Sequence, residues 1–141
     1  MKTMRVRVST PARELVLGPL VALRFLAQDG WRGVLAGHEP ATAVLRPGPV
    51  RCLEPRASPR GEDRLSWLAT EGGVLLIDQR ELKILSDWAA TATTLTELRG
   101  LVEARDAERR RIETEARALS LRHELATRRA LVALERKVSL P

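Results

Sequence analysis

Through the first ninety residues, apolar side chains mostly alternate with polar ones in short runs that glycine and proline interrupt. Met4, Val6 and Val8 alternate with Arg5 and Arg7, the pattern of a half-buried strand, and Thr10 and Pro11 end it. Residues 15–17 predict a short return that Gly18 and Pro19 turn. In residues 21–27 one face carries Val21, Leu23 and Phe25 and the other Ala22, Arg24 and Leu26. The stretch 30–48, GWRGVLAGHEPATAVLRPG, holds four glycines and two prolines around brief apolar pieces, which is how tight turns joining short strands are written. Val50 and Cys52 begin a further strand that runs out at Pro55, and residues 55–63 form a polar, proline-broken hairpin loop. Leu65, Trp67 and Ala69 alternate again, Gly72 and Gly73 turn, residues 74–77 form a strand, and residues 78–80 turn into the last segment at 82–87. About ten short strands at close spacing over residues 1–90 predict an antiparallel β-sandwich or barrel.

From Thr93 the period changes. Thr94 is placed as an N-cap with Glu97 three residues later, a capping box. Beyond it only Gly100 interrupts good helix formers before Pro141. Leu98, Val102, Ile112, Ala116 and Leu119 make one apolar stripe, and Leu125, Ala126, Ala130, Leu131 and Leu134 a second. Periodicity alone does not separate one long helix from two antiparallel ones. Neither stripe is wide enough to form a core by itself, which favours a helical hairpin over residues 91–141, with Ser120 as the expected break. The fold class is therefore α+β, mainly β: a sandwich followed by a helical hairpin.

At 141 residues the chain is long enough to bury a real core. Its single cysteine, Cys52, rules out an internal disulfide framework. No run of about 18 apolar residues occurs, so a soluble chain is expected. With no tyrosine, one phenylalanine and three tryptophans, it lacks the aromatic surface that stacks on single-stranded bases. The net charge of +6 is unevenly placed: residues 1–90 carry 13 Lys+Arg against 10 Asp+Glu, and residues 99–137 carry 11 against 7. The C-terminal third is the electrostatic handle.

The sequence offers little to catalysis. His38 and His123 stand apart with no cysteine pair or carboxylate cluster to join them, so no metal site is expected. No serine has a nucleophile-elbow context, no phosphate-binding glycine loop occurs, and Cys52 reads as a small core side chain. Asp29, Trp31 and Arg32 fall in a tight loop, and read either as a polar turn with the indole folded over the core edge or as a contact tip. The run 103–111 reads either as a solvated helix face or as a docking surface for an acidic partner, because clustered arginine binds carboxylates with geometry as well as charge. Nucleic-acid phosphate would satisfy the same physics, but the seven interspersed acids oppose it.

A sandwich followed by basic helices, with GVLAGHEP and LRPG at its centre, resembles the epsilon subunits of F-type rotary ATP synthases. That family's central pattern, G-x-[aromatic or aliphatic]-G-V-L-P-G-H-A-P with a leucine and P-G further on, is matched by Gly30, Gly33, Val34, Leu35, Gly37, His38, Pro40, Leu45, Pro47 and Gly48. The opening strand ending in Thr-Pro is matched by VSTP at 8–11, and the late G-G-[FIV]-L-x-V and V-T-V-L-A-D patterns by Gly72 to Ile77 and Leu82 to Asp87. Arg32, Ala36 and Glu39 depart from the usual apolar residue, proline and alanine, which points to a divergent branch.

The resemblance implies a non-catalytic rotor subunit that joins the gamma subunit to the c ring and couples proton or sodium flow to ATP synthesis or hydrolysis. Asp29, Trp31 and Arg32 would then face the c ring, and Gly37, His38, Glu39 and Pro40 the gamma subunit. The C-terminal helices would oppose ATP hydrolysis, docking on acidic segments of the catalytic subunits through Arg105, Arg109, Arg110, Arg111, Arg128 and Arg129. The family's ATP-binding motif I/L-D-x-x-R-A appears as Leu95 to Gly100 with Thr96 in place of aspartate and Gly100 in place of alanine, so no cofactor is expected. Localisation would be peripheral, on the cytoplasmic face of the bacterial inner membrane. The rival reading is a basic helical adaptor or nucleic-acid-binding module on a sandwich scaffold.

Overall fold

The alternation along the chain is realised as pleat. In the computed structural model, which describes residues 2–138, ten strands precede one helix: β1 (Met4–Ser9), β2 (Glu14–Leu20), β3 (Ala22–Ala27), β4 (Gly30–Leu35), β5 (Ala41–Leu45), β6 (Gly48–Glu54), β7 (Arg64–Thr70), β8 (Gly73–Ile77), β9 (Glu81–Leu85), β10 (Ala89–Ala92) and α1 (Leu95–Val138). Residues 139–141, which end the expected helical segment, lie outside the described residues.

The strands form two five-stranded sheets, ordered β2-β1-β9-β8-β5 and β10-β7-β6-β3-β4. Because alternate side chains leave opposite faces of a strand, each sheet sends one set inward. Val6, Val8, Leu75, Leu82 and Ile84 from the first sheet meet Leu23, Phe25, Val50, Cys52 and Leu68 from the second in one buried cluster. This is the sandwich core.

Two features differ from the expected pattern. The sandwich is not wholly antiparallel, since β1 and β9 pair in parallel, with Val6 opposite Leu82 and Val8 opposite Ile84. Gly18 and Pro19 do not turn the chain but lie inside β2, joined by a cis bond. β2 is an edge strand whose register with β1 shifts between Met4 and Val6, and proline, which has no N–H for a ladder, is tolerated at such an edge. The loop at 55–63 is exposed apart from its half-buried Pro55 and Gly61, and Arg56 and Asp63 pair near its two ends.

Contacts divide the chain into a unit through Val102 and a unit from Glu103. In the first, the opening turns of α1 contribute Leu98, Leu101 and Val102 to a small cluster with Trp67, Ala69, Trp88 and Ala92. The N-cap forms as a box displaced by one residue. The Glu97 N–H donates to Thr94 Oγ1 at 3.1 Å, while Glu97 Oε2 accepts from the Thr93 N–H at 3.2 Å and from Thr93 Oγ1 at 3.1 Å. Thr94→Ala leaves that first-turn amide without its acceptor and is expected to cost about 1 kcal/mol. Thermal melting should register it as a drop of about 4–8 °C for a unit of this size.

The second unit corrects the expected hairpin, because α1 runs unbroken through Ser120 to Val138. No glycine or proline stands between Gly100 and Val138, and serine in a helix costs only about half a kcal/mol relative to alanine, too little to enforce a turn. Local pairs hold the helix on both sides of Ser120: Arg111 to Glu108 at 2.6 Å and to Glu115 at 2.8 Å, and Arg128 to Glu124 at 2.7 Å. Every side chain from Asp106 to Val138 is exposed, including Ile112, Leu119, Leu125, Leu131 and Leu134. Among the described residues, no helix is long and apolar enough to cross a membrane.

Candidate functional site

The β3–β4 hairpin turns through Gln28 and Asp29, with Gly30 following at φ +116°. Its tip separates the three residues expected to act together. Arg32 is the register partner of Phe25 and so leaves β4 on the core side, but at the strand end it reaches back to Asp29. Its Nε donates to Asp29 Oδ1 at 3.1 Å and its Nη2 to Oδ2 at 2.7 Å, a bidentate fork. Those hydrogen bonds hold the Asp29 carboxyl below the usual carboxylate range. Trp31 leaves the opposite face of β4 and is 50% exposed. The tip thus offers a neutralised ion pair on one side and an indole on the other.

Residues 35–38 form a turn in which the His38 N–H donates to the Leu35 carbonyl at 3.2 Å and Gly37 holds φ +87°. A positive φ at the third position is the type II geometry that favours glycine. The Gly37 N–H donates to the Gln79 carbonyl at 3.0 Å, tying this turn to the β8–β9 connection. His38, Glu39 and Pro40 then stand exposed ahead of β5, with His38 Nδ1 2.6 Å from the Glu39 carbonyl oxygen. Here the predicted residues are contiguous and accessible.

Of the helix arginines, Arg111 is forked between Glu108 and Glu115, and its guanidinium lowers the Glu108 pKa. Arg128 is held by Glu124. Arg105 and Arg109 also have interactions of their own. Arg110 and Arg129 have no carboxylate partner among the described residues. Docking on an acidic partner would therefore engage Arg110 and Arg129 directly and require Arg111 and Arg128 to exchange partners.

Cys52 is wholly buried in the core, and burial pushes its thiol up to about 12, with the Glu54 charge adding to the rise and a Ser66 hydrogen bond opposing it. A raised folded pKa gives a contribution to stability that is complete below the ordinary value of 9.0 and is lost as pH rises toward about 12. At pH 8 the native thiol should stay inert to a disulfide reagent and react promptly once urea unfolds the chain. Prompt reaction of the folded protein would contradict this placement.

Sequence reasoning overlooked Arg24, Arg51 and Trp67, which meet on the outer face of the second sheet beside Trp31. Each sits at an outward position of its own alternation, and only strand register brings them together.

The family described as ATP synthase, Delta/Epsilon chain, beta-sandwich domain matches residues 3–92, which takes in β1 through β10. The chain belongs to that family. The ATP synthase epsilon chain of Psychrobacter cryohalolentis is 34% identical over 105 residues, covering 74% of this chain and 71% of that one. The ATP synthase epsilon chain of Bacillus velezensis is 31% identical over 139 residues, covering 96% and 97%, so the likeness extends through the helical segment. A chain in the cryo-EM structure of the Euglena gracilis mitochondrial ATP synthase OSCP/F1/c-ring assembly shares the fold, with a TM-score of 0.52 at 19% identity over 76% of this chain and 66% of that chain.

Proposed function

We propose that this epsilon-family chain is the non-catalytic central-stalk subunit of a rotary ATP synthase, joining the gamma subunit to the c ring and coupling proton or sodium flow to ATP synthesis or hydrolysis. The observation that carries this is the family match, which spans every strand of the sandwich. Torque transmission asks for a rigid body, and two close-packed sheets sharing one core supply it. On this reading residues 1–90 are the rotor domain, residues 91–141 the regulatory segment, and the whole chain is held at the cytoplasmic face of the bacterial inner membrane through its complex.

The hairpin tip with Asp29, Trp31 and Arg32 faces the c ring, and because Asp29 is engaged by Arg32, the indole leads that contact. Gly37, His38, Glu39 and Pro40 meet gamma. Helix α1 opposes ATP hydrolysis by docking its arginines, Arg110 and Arg129 first, on acidic segments of the catalytic subunits. Its exposed leucines suit a segment that trades one packing surface for another.

The test compares the tagged full chain with one stopped after Val102, which keeps Leu98, Leu101 and Val102 on their cluster. Both should recover gamma and the c ring from the organism's membrane extract, and only the full chain should slow ATP hydrolysis by the complex. Failure of the full chain to recover gamma would overturn the rotor assignment.

A further inference from the structure

Arg24 on β3 and Arg51 on β6 are direct Cα partners across antiparallel strands. Trp67 on β7 is the partner of Arg51, and Trp31 on β4 is the partner of Leu26, two residues along β3 from Arg24. The four side chains Trp31, Arg24, Arg51 and Trp67 line one open, shallow trough of about 230 Å³. Like charges facing each other across a sheet are unfavourable. Neither guanidinium has a carboxylate partner among the described residues, although ion pairs such as Arg7 with Glu14 and Arg56 with Asp63 form elsewhere on the sandwich. A cationic pair framed by two indoles stays uncompensated until an anion reaches it.

We propose that this trough receives a carboxylate side chain from a protein partner in the ATP synthase complex, an aspartate or glutamate whose apolar neighbours cover Trp31 and Trp67. The identity of the complex rests on the rotor reading; the chemistry of the contact rests on the trough. A protein is favoured over a small phosphorylated ligand because the trough is below the roughly 300–1,000 Å³ of pockets that enclose small molecules. Its surroundings are also apolar, with Leu26 and Leu53 half-buried beside it. Tryptophan and arginine are the side chains in which interface hot spots are enriched. The neighbouring part of the same outer face already accepts an apolar surface, since Leu98, Leu101 and Val102 share a cluster with Trp67 and Ala69. The chain's own residues 99–137 carry 11 Lys+Arg against 7 Asp+Glu, the wrong sign for this site, so the carboxylate comes from a different chain.

The polarity of the contact follows. Asp29, the acid nearest Trp31 in sequence, is engaged by Arg32, and what remains unpaired beside Trp31 is cationic. The partner surface therefore brings the negative charge.

The test binds the full chain to the organism's own ATP synthase from which the resident copy has been removed. Arg24→Gln with Arg51→Gln should weaken binding about 30-fold or more, as expected when one side of a desolvated charge pair is lost. Arg60→Gln with Arg64→Gln, the same change in net charge elsewhere on the sandwich, should leave binding within about threefold. The melting temperature of the Arg24 and Arg51 variant should equal or exceed that of the parent, because the facing charges are gone. Equal binding by the parent and this variant would overturn the carboxylate site while leaving the rotor reading intact. No binding by the parent chain would overturn the rotor reading and the site with it. Saturable change of tryptophan emission by inorganic phosphate or ATP below millimolar concentration, lost in the same variant, would overturn the protein carboxylate and assign the trough to a phosphoryl ligand.

Discussion

Gly73→Ala is expected to destabilise the sandwich by about 3 kcal/mol or more, a large share of the roughly 5–15 kcal/mol that holds a domain together. Gly73 opens β8 at φ +142°, where side-chain-bearing residues are strained. A Cβ built there would lie 1.9 Å from the Leu85 carbonyl oxygen and 3.0 Å from its carbon, both backbone atoms that cannot rotate aside. Relief requires β8 and β9 to part at the point where Val74 faces Leu85 and, one pair further, Leu75 faces Ile84. Leu75 and Ile84 are fully buried, so separating the strands also opens the core. Urea unfolding followed by tryptophan emission measures the loss, since Trp31, Trp67 and Trp88 all belong to the first unit. Gly100→Ala is the matched control, because a Cβ there meets nothing and the site lies inside α1. It should stabilise the helix by about 0.5–1 kcal/mol. Equal unfolding midpoints for the two variants would contradict the close approach of β8 to Leu85.

The sandwich was legible because its signal is local. Met4, Val6 and Val8 state their own pleat, and the turns at 28–30 and 72–73 are written in residue types that turns require. Strand partnership is not local, which is why the parallel pairing of β1 with β9 was invisible. The C-terminal segment failed differently. Its two narrow stripes, neither wide enough to be a core alone, argued for a hairpin packed on itself or on a partner, but nothing in residues 101–138 stops a helix, and intrahelical ion pairs sustain it. Leu119 remains 67% exposed, and Leu125, Leu131 and Leu134 are exposed with it. The candidate sites divide the same way. The segment 37–40 is contiguous in sequence and so could be named from it, whereas Arg24, Arg51, Trp31 and Trp67 come from four strands and converge only through register.

Phe25→Ala is expected to cost about 3–5 kcal/mol, the range for removing a buried phenylalanine with only partial collapse around the space left. Phe25 is the only phenylalanine in the chain and is 1% exposed in the main core cluster. β3 is bonded to β4 on one side and β6 on the other, so neither edge is free to fold inward over the gap. The urea midpoint should fall by about 2 M, while Phe25→Leu, which keeps most of the volume, should cost under about 1.5 kcal/mol. Arg24 precedes Phe25 on the same strand and points the other way, into the trough. Arg24→Ala should leave stability within about 0.5 kcal/mol, because the side chain is exposed and makes no ion pair among the described residues. Adjacent positions on one strand should therefore separate cleanly, Phe25 governing whether the sandwich stands and Arg24 what it binds. A Phe25→Ala chain that unfolds with the parent's midpoint would mean that β3 does not hold the core. A large stability loss for Arg24→Ala would mean that its side chain packs inward, and the trough could not be a docking surface.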